Sequence, residues 1–243
     1  MAQRRLTDLP AVLRKAGLTV VEVPGWRNFS RPESTGGFDP IGNLWHHTGA
    51  KDTNPLSIED DFAYAEWLAE IGRSDLPAPL CQLSVGRKGT IYVCAAGRGN
   101  HAGTAKPSGP MPGGDGNVIY IGWECQNDGT EGWTGEQYEA MVKGAAVTSL
   151  HYGWTANANR GHKETSVTGK WDPGALDMTE FRSDIADAMA AKPSTALRDQ
   201  IRDALKATLR AKGSSEKPRR PRVRAKLKQA RNKLREALDI EKG

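Results

Sequence analysis

The feature that most constrains this chain is a hydrophobic period that switches repeatedly between two residues and three to four. In Val118–Cys125, Ile119, Ile121 and Trp123 fall on one side, while Val118, Tyr120, Gly122 and Glu124 fall on the other. That alternation predicts a strand. Soon after it, Thr134-x-x-Gln137 has the form of a capping box and leads a helix through Met141, Val142 and Ala145. The same exchange recurs along the first 191 residues. Leu9, Val12 and Leu13 suggest a short helix, and Leu18–Val23 and Ile41–Thr48 read as strands, the second stopped by Gly49. Ser57-x-x-Asp60 precedes a helical spacing of Phe62, Ala65, Leu68 and Ile71 that ends at Gly72. Cys81–Val85 and Thr90–Val93 flank Arg87-Lys88-Gly89 as a hairpin. Thr179 opens a last helix carrying Phe181, Ile185 and Met189. Interleaved strands and helices predict one α/β domain over residues 1–191, a mixed sheet flanked by helices.

The remainder reads differently. Residues 192–243 hold 17 Lys and Arg against 6 Asp and Glu, net +11, which leaves the first 191 at net −6. Two narrow apolar stripes, Leu197/Ile201/Leu205/Leu209 and Leu227/Ala230/Leu234/Leu238, flank a Gly/Ser/Pro/Arg linker. The pattern predicts a basic helical extension, in the form of a hairpin, a docked pair or a solvated tail. No apolar run is long enough to span a bilayer, and no stretch of signal-peptide length follows Met1-Ala-Gln-Arg-Arg5. Cysteines at 81, 94 and 125 are odd in number and widely spaced, against a disulfide framework. These features lead us to expect synthesis in a reducing cytoplasm.

Few residues can carry chemistry. Of five histidines, His46 and His47 are adjacent on a predicted strand and so face opposite sides. His162 follows Arg160-Gly161, and Asp172 stands before a Pro-Gly turn that keeps it out of a helix. A strand histidine, a loop histidine and a loop aspartate fit a three-ligand zinc site with an open fourth position. On spacing alone, satisfied core or surface histidines are the commoner reading of such a pattern. Glu124 ends an apolar strand and needs a partner if buried. Water at an open metal position is one such partner, and bulk solvent at a sheet edge is another.

Taken in order, Trp45-His46-His47-Thr48, Ile121-Gly-Trp-Glu124, Gly161-His162 and Lys170-Trp-Asp172-Pro-Gly174 closely resemble the zinc-dependent N-acetylmuramoyl-L-alanine amidases. That family includes phage endolysins, bacterial autolysins and recycling amidases, and peptidoglycan recognition proteins. The similarity covers residues 18–190. Ala95–Gly103 and Ala16–Trp26 look like endolysins of actinobacterial phages, whereas 192–243 has no counterpart. The resemblance implies an amidase or peptidoglycan-recognition-like fold, with zinc held by His46, His162 and Asp172. It implies Glu124 as the catalytic carboxylate and Lys170 as a cationic oxyanion stabiliser. Some members carry a Tyr near the hairpin, where this chain has Cys81, read here as a small buried residue rather than a fourth ligand or nucleophile. His101, Asn100 and His47 are candidate substrate contacts, Trp45 a packing residue, and His151 a helix residue without a chemical role.

The implied reaction is hydrolysis of the amide joining N-acetylmuramic acid to L-alanine of the stem peptide, in phage-driven host lysis. The expected partner is bacterial peptidoglycan, met by a monomer after holin-dependent release. The rival within the fold, a non-catalytic peptidoglycan-binding protein, is disfavoured because every ligand and catalytic candidate is present. The basic extension would suit anionic wall polymers or membrane lipids. Nucleic acid is a poorer partner, since 192–243 contains no aromatic residue to stack on bases.

Overall fold

The computed structural model describes residues 3–49 and 58–191. Ser57, the expected helix cap, and the 192–243 extension lie outside the described residues. Residues Met1–Ala190 form one compact unit.

The sheet has six strands: β1 (Val20–Glu22), β2 (Gly42–His47), β3 (Leu83–Val85), β4 (Ile91–Val93), β5 (Tyr120–Cys125) and β6 (Asn159–Gly161). Their order is β1-β4-β3-β5-β2-β6, with only the β3/β4 hairpin antiparallel. The longer helices that accompany it are α1 (Leu9–Lys15), α2 (Ile58–Glu66), α3 (Gly135–Tyr152) and α4 (Met178–Ala190). The mixed α/β architecture is thus the one that the alternating periods predict. Among the described residues, no helix is long and apolar enough to cross a membrane.

One face of the sheet is a continuous apolar surface. Trp45, Leu83, Val85, Ile91, Val93, Ile121, Trp123 and Cys125 pack there with Leu9 and Leu13 of α1, Met141 and Ala145 of α3, and Phe181 and Ile185 of α4. Trp45 stacks on Trp123 with ring centroids 4.6 Å apart, and meets Phe181 edge-on at 5.0 Å. Each indole N–H still needs an acceptor in this dry layer. Asn43 Oδ1 accepts from Trp123 Nε1 at 2.9 Å, and Asn159 Oδ1 accepts from Trp45 Nε1 at 3.2 Å. Trp45 is accordingly a packing residue. The opposite face carries Leu44, His46, Tyr120, Gly122 and Glu124. It is covered partly by α2 over Tyr92 and Cys94, and partly by the segment that contains Ala105 and Met111.

Four local expectations change. Val118 and Ile119 belong to a helical turn, Gly116–Ile119, because Asp115 caps it by accepting from Asn117 N; the strand begins at Tyr120. α2 gives way to one π-helical turn at Trp67–Ile71, which rotates Ile71 out to 68% exposure while Gly72 (φ +66°) ends it. Thr134 does cap α3 by accepting from Gln137 N, but the Gln137 side chain turns to the Val85 and Gln126 carbonyls instead of closing the box. His162 is not in a loop. It opens a four-residue helical turn, His162–Thr165, in which Glu164 reaches back to Gly161 N at 2.9 Å.

Candidate metal centre

Parallel pairing of β2 with β5 sets His46 directly opposite Glu124, and pairing of β3 with β5 sets Ser84 there too. Directly paired residues on neighbouring strands share a face, so His46 and Glu124 stand side by side at the carboxyl ends of their strands. β6 lies on the other side of β2, with Gly161 paired to Trp45, so its next residue, His162, emerges at the same end. Asp172 is brought in by a clamp. Lys163 N donates to the Asp172 carbonyl at 2.7 Å, and Lys163 Nζ donates to the Gly174 and Leu176 carbonyls at 2.7 and 2.8 Å. Glu164, which accepts from both Arg160 and Arg182, anchors that helical turn to β6 and α4.

The three side chains converge. Nδ1 of His46 lies 2.7 Å from Asp172 Oδ2, and Nδ1 of His162 lies 3.0 Å from the same oxygen. The three ligand atoms fall within 4.8 Å of one another, and all three residues are buried. Two imidazole nitrogens and one carboxylate oxygen are the donor types that zinc takes in sites that retain an open position.

Electrostatics follows from burial. Burial pushes His46 down to about 4 against the hydrogen bond to Asp172, so the imidazole is neutral at pH 7. Burial alone would raise the Asp172 carboxyl, but hydrogen bonds from His162 and His46 outweigh it and hold the group below the usual carboxylate range. Glu124 is half-buried by surface area yet densely surrounded. Burial first, then the charge of Asp172, drives its carboxyl well above the ordinary value, with Lys170 opposing. Lys170 itself is exposed on the rim.

The expected substrate contacts are placed unequally. His101 is buried, its Nδ1 3.2 Å from His46 Nε2 and its Nε2 closed to solvent, so its ring offers substrate no polar atom. Burial, then the neighbouring His46 and His162, holds it well below the usual histidine range. Asn100 directs its amide to the Pro77 carbonyl at 3.3 Å. His47 is half-buried, edge-on to Trp171 at 4.4 Å, with Nδ1 buried and unpartnered. Cys81 lies under α2 with Ala65, Leu68, Tyr92 and Cys94, and burial raises its thiol well above normal, which makes it an inert filler. His151 pairs with Asp8 at 2.6 Å and ties α3 to the cap of α1. A groove of about 880 Å³ lined by Pro110, Asn157, Arg160 and Arg182, among others, contains none of these residues.

A family model described as N-acetylmuramoyl-L-alanine amidase matches residues 40–175, more than half of the chain. The chain belongs to that amidase family. His46, His101, Glu124, His162, Lys170 and Asp172 all fall inside the matched span. Similar solved structures include the N-acetylmuramoyl-L-alanine amidase LysC from Clostridium intestinale URNW (18% identity, 69% of this chain and 97% of that one, TM-score 0.48). The catalytic domain of XlyA (20%, 69% and 99%, 0.49) and wild-type Drosophila PGRP-LB (18%, 68% and 94%, 0.49) are others. No curated protein matches the chain in sequence.

Two residues of this amidase's site escaped sequence reasoning. The Tyr64 hydroxyl on α2 hydrogen-bonds the Thr48 side chain, and burial together with the Glu124 charge raises its pKa. Its helical spacing marks α2 but says nothing of α2 crossing the ends of β2 and β5. Trp171 is 55% exposed beside Asp172 and packs on His47. Its place between Lys170 and Asp172 was the available signal.

Proposed function

We propose that this amidase is a zinc-dependent peptidoglycan hydrolase that cleaves the amide between N-acetylmuramic acid and L-alanine of the stem peptide. The observation that carries the reading is the convergence of His46 Nδ1, His162 Nδ1 and Asp172 Oδ2 on one point beside Glu124. His46, His162 and Asp172 would hold the zinc, which when bound supplies Lewis acidity toward a carbonyl oxygen and toward water.

The residues then divide the work. Glu124, whose carboxyl burial raises above the ordinary carboxylate value, is the proton carrier: it takes the proton of the attacking water and returns it to the departing L-alanine amine. Such a group contributes about 10²–10⁴ in rate. Lys170 on the rim places a positive charge to meet the oxygen that becomes negative as the carbonyl is attacked, an interaction worth about 3–4 kcal/mol when well aligned. Before a cation binds, Asp172 keeps both imidazoles aimed inward, and the Lys163 clamp keeps Asp172 there. Because the donor set and Glu124 are all present, nothing favours a binding-only role.

The biological role we propose is that of a phage endolysin made in the host cytoplasm, acting on the wall after release through a holin. The segments 16–26 and 95–103 support an actinobacterial phage by their resemblance. The +11 extension would draw an acidic catalytic domain toward anionic wall polymers or membrane lipids. Digesting purified walls with the full chain tests the reaction. New L-alanine amino termini, lost on chelation and restored by zinc, are expected; glycan fragments or internal peptide cleavage would contradict it.

A further inference from the structure

His46 faces two ways. Its Nδ1 points into the candidate metal cluster, 2.7 Å from Asp172 Oδ2, and its Nε2 lies 3.2 Å from Nδ1 of His101. A neutral imidazole carries one proton on one of two nitrogens, so the two ends are coupled. Without a cation, a proton on His46 Nδ1 satisfies Asp172, and Nε2 accepts from His101. For His46 to ligate through Nδ1, that lone pair must be free. The proton then sits on Nε2 and needs an acceptor in a place where His46 is 2% exposed.

We propose that His101 is a positioning residue for His46. It accepts the Nε2 proton of His46 at its own Nδ1, and so keeps His46 Nδ1 open as a cation ligand. Each imidazole keeps one proton throughout; in both rings it moves from Nδ1 to Nε2, so the bond between the rings reverses, His46 gives up its bond to Asp172, and His101 Nε2 becomes a donor.

The surroundings of His101 fit this role. Asn117 Oδ1 accepts from the backbone N–H of His101 at 2.8 Å and of Ala102 at 2.7 Å, and Asn117 Nδ2 donates back to the Ala102 carbonyl at 2.8 Å. The imidazole rests on Gly122 of β5, where a Cβ would come 2.5 Å from its Cγ and Cδ2. Gly122 has no positive φ, so it is the space above it, not backbone freedom, that a side chain would spoil. The far nitrogen, His101 Nε2, is buried and makes no hydrogen bond of ordinary geometry, while the Tyr120 backbone offers the ring an acceptor. An orphan nitrogen is what a reversible tautomer leaves behind. With the proton on Nδ1 it is an unused lone pair; with the proton on Nε2 it becomes a donor to Tyr120. An unpaired buried lone pair is the cheaper of the two orphans, so the metal-free state tolerates it.

This inference rests on the zinc reading above, and the test separates the two. Zinc affinity of the full-length protein is measured by chelator competition for wild type, His101→Gln and His101→Leu. Leu fills space without an acceptor and should weaken zinc about 10–100-fold, the usual effect of losing a ligand's outer partner. The Gln carbonyl can accept, and should hold affinity within about threefold of wild type. Equal affinity in wild type and His101→Leu overturns the inference alone, as does a folded Gln variant as weak as Leu. A wild-type chain that takes up no zinc overturns the metal reading and this one with it. Two-bond ¹H–¹⁵N spectra of the histidine rings in wild type need no variant to fold. His46 and His101 should carry their protons on Nδ1 without zinc and on Nε2 with it, and a His101 Nδ1–H that persists with zinc bound would refute the proposal.

Discussion

Asp172→Asn isolates what the shared carboxylate oxygen does. Asp172 Oδ2 accepts from His46 Nδ1 at 2.7 Å and His162 Nδ1 at 3.0 Å, on a side chain only 12% exposed. A hydrogen bond to a charged group contributes about 1.5–3 kcal/mol, and an amide oxygen in the same place can accept both bonds, but only as neutral ones of about 0.5–1.5 kcal/mol each. Relief of carboxylate burial runs the other way, but the net depression of the Asp172 pKa means that the hydrogen bonds outweigh it. The expected loss is about 2–4 kcal/mol in the chelated protein, or about 4–16 °C in Tm for a domain of this size. A carboxyl whose folded pKa is depressed stabilises above its unfolded pKa and ceases to do so as pH falls through the folded value. The gap between wild type and variant should therefore hold from pH 7 to about 4 and close below it. Calorimetry in chelator across that range, with elemental analysis of zinc-loaded samples, reads both effects. An Asn variant equally stable in chelator and still holding one zinc per chain would refute the reasoning.

Other outcomes follow from the same geometry. His46, held near pKa 4 by burial against an unfolded value near 6.5, must gain a proton on unfolding in acid. Stability of the chelated protein should thus fall between about pH 6.5 and 4 by up to about 3 kcal/mol, and denaturant midpoints flat over that window would contradict this. Lys170→Ala should lower kcat with little change in KM, because its interaction forms mainly in the transition state; a pure KM effect in steady-state kinetics would reassign it to ground-state binding. Trp45→Ala removes the ring stacked on Trp123 and should cost about 3–5 kcal/mol by chemical denaturation, and a cost under about 1 kcal/mol would mean that the layer repacks. Truncation after Ala191 should spare zinc binding and cleavage of soluble muropeptides while reducing wall lysis at low salt, a deficit that shrinks as salt rises. Equal lysis at every salt concentration would remove the targeting role.

Much of this architecture was legible in the sequence because strand alternation and helix caps are local signals. Ile121 and Trp123 do face the helices, and Thr134 does begin α3. What escaped depended on contacts that local patterns do not encode. Val118 and Ile119 are good strand residues, yet the Asp115 cap takes them into a helical turn. The turn at His162 is too short to show a period and is held by Glu164 reaching back to Gly161. His101 sits in a Gly- and Ala-rich segment that reads as a loop open to substrate, and only the gap above Gly122 explains its burial beneath His46. The site itself was half visible. His46 and Glu124 each end a recognisable strand, but their direct pairing depends on β2 and β5 being adjacent, which sequence order does not require. Tyr64 was hidden for the same reason, since its helix reaches Glu124 only through the fold.

The central claim is zinc-dependent cleavage of the N-acetylmuramoyl–L-alanine bond with Glu124 as the proton carrier. Mass analysis of wall digests made by zinc-loaded wild type and Glu124→Gln, matched for zinc content, tests it most directly. The account predicts intact glycan and free L-alanine amino termini from wild type, with a rate lower by about 10²–10⁴ in a Gln variant that keeps its zinc. Near-normal release by the Gln variant, or wild-type products cut at any other bond, would contradict it.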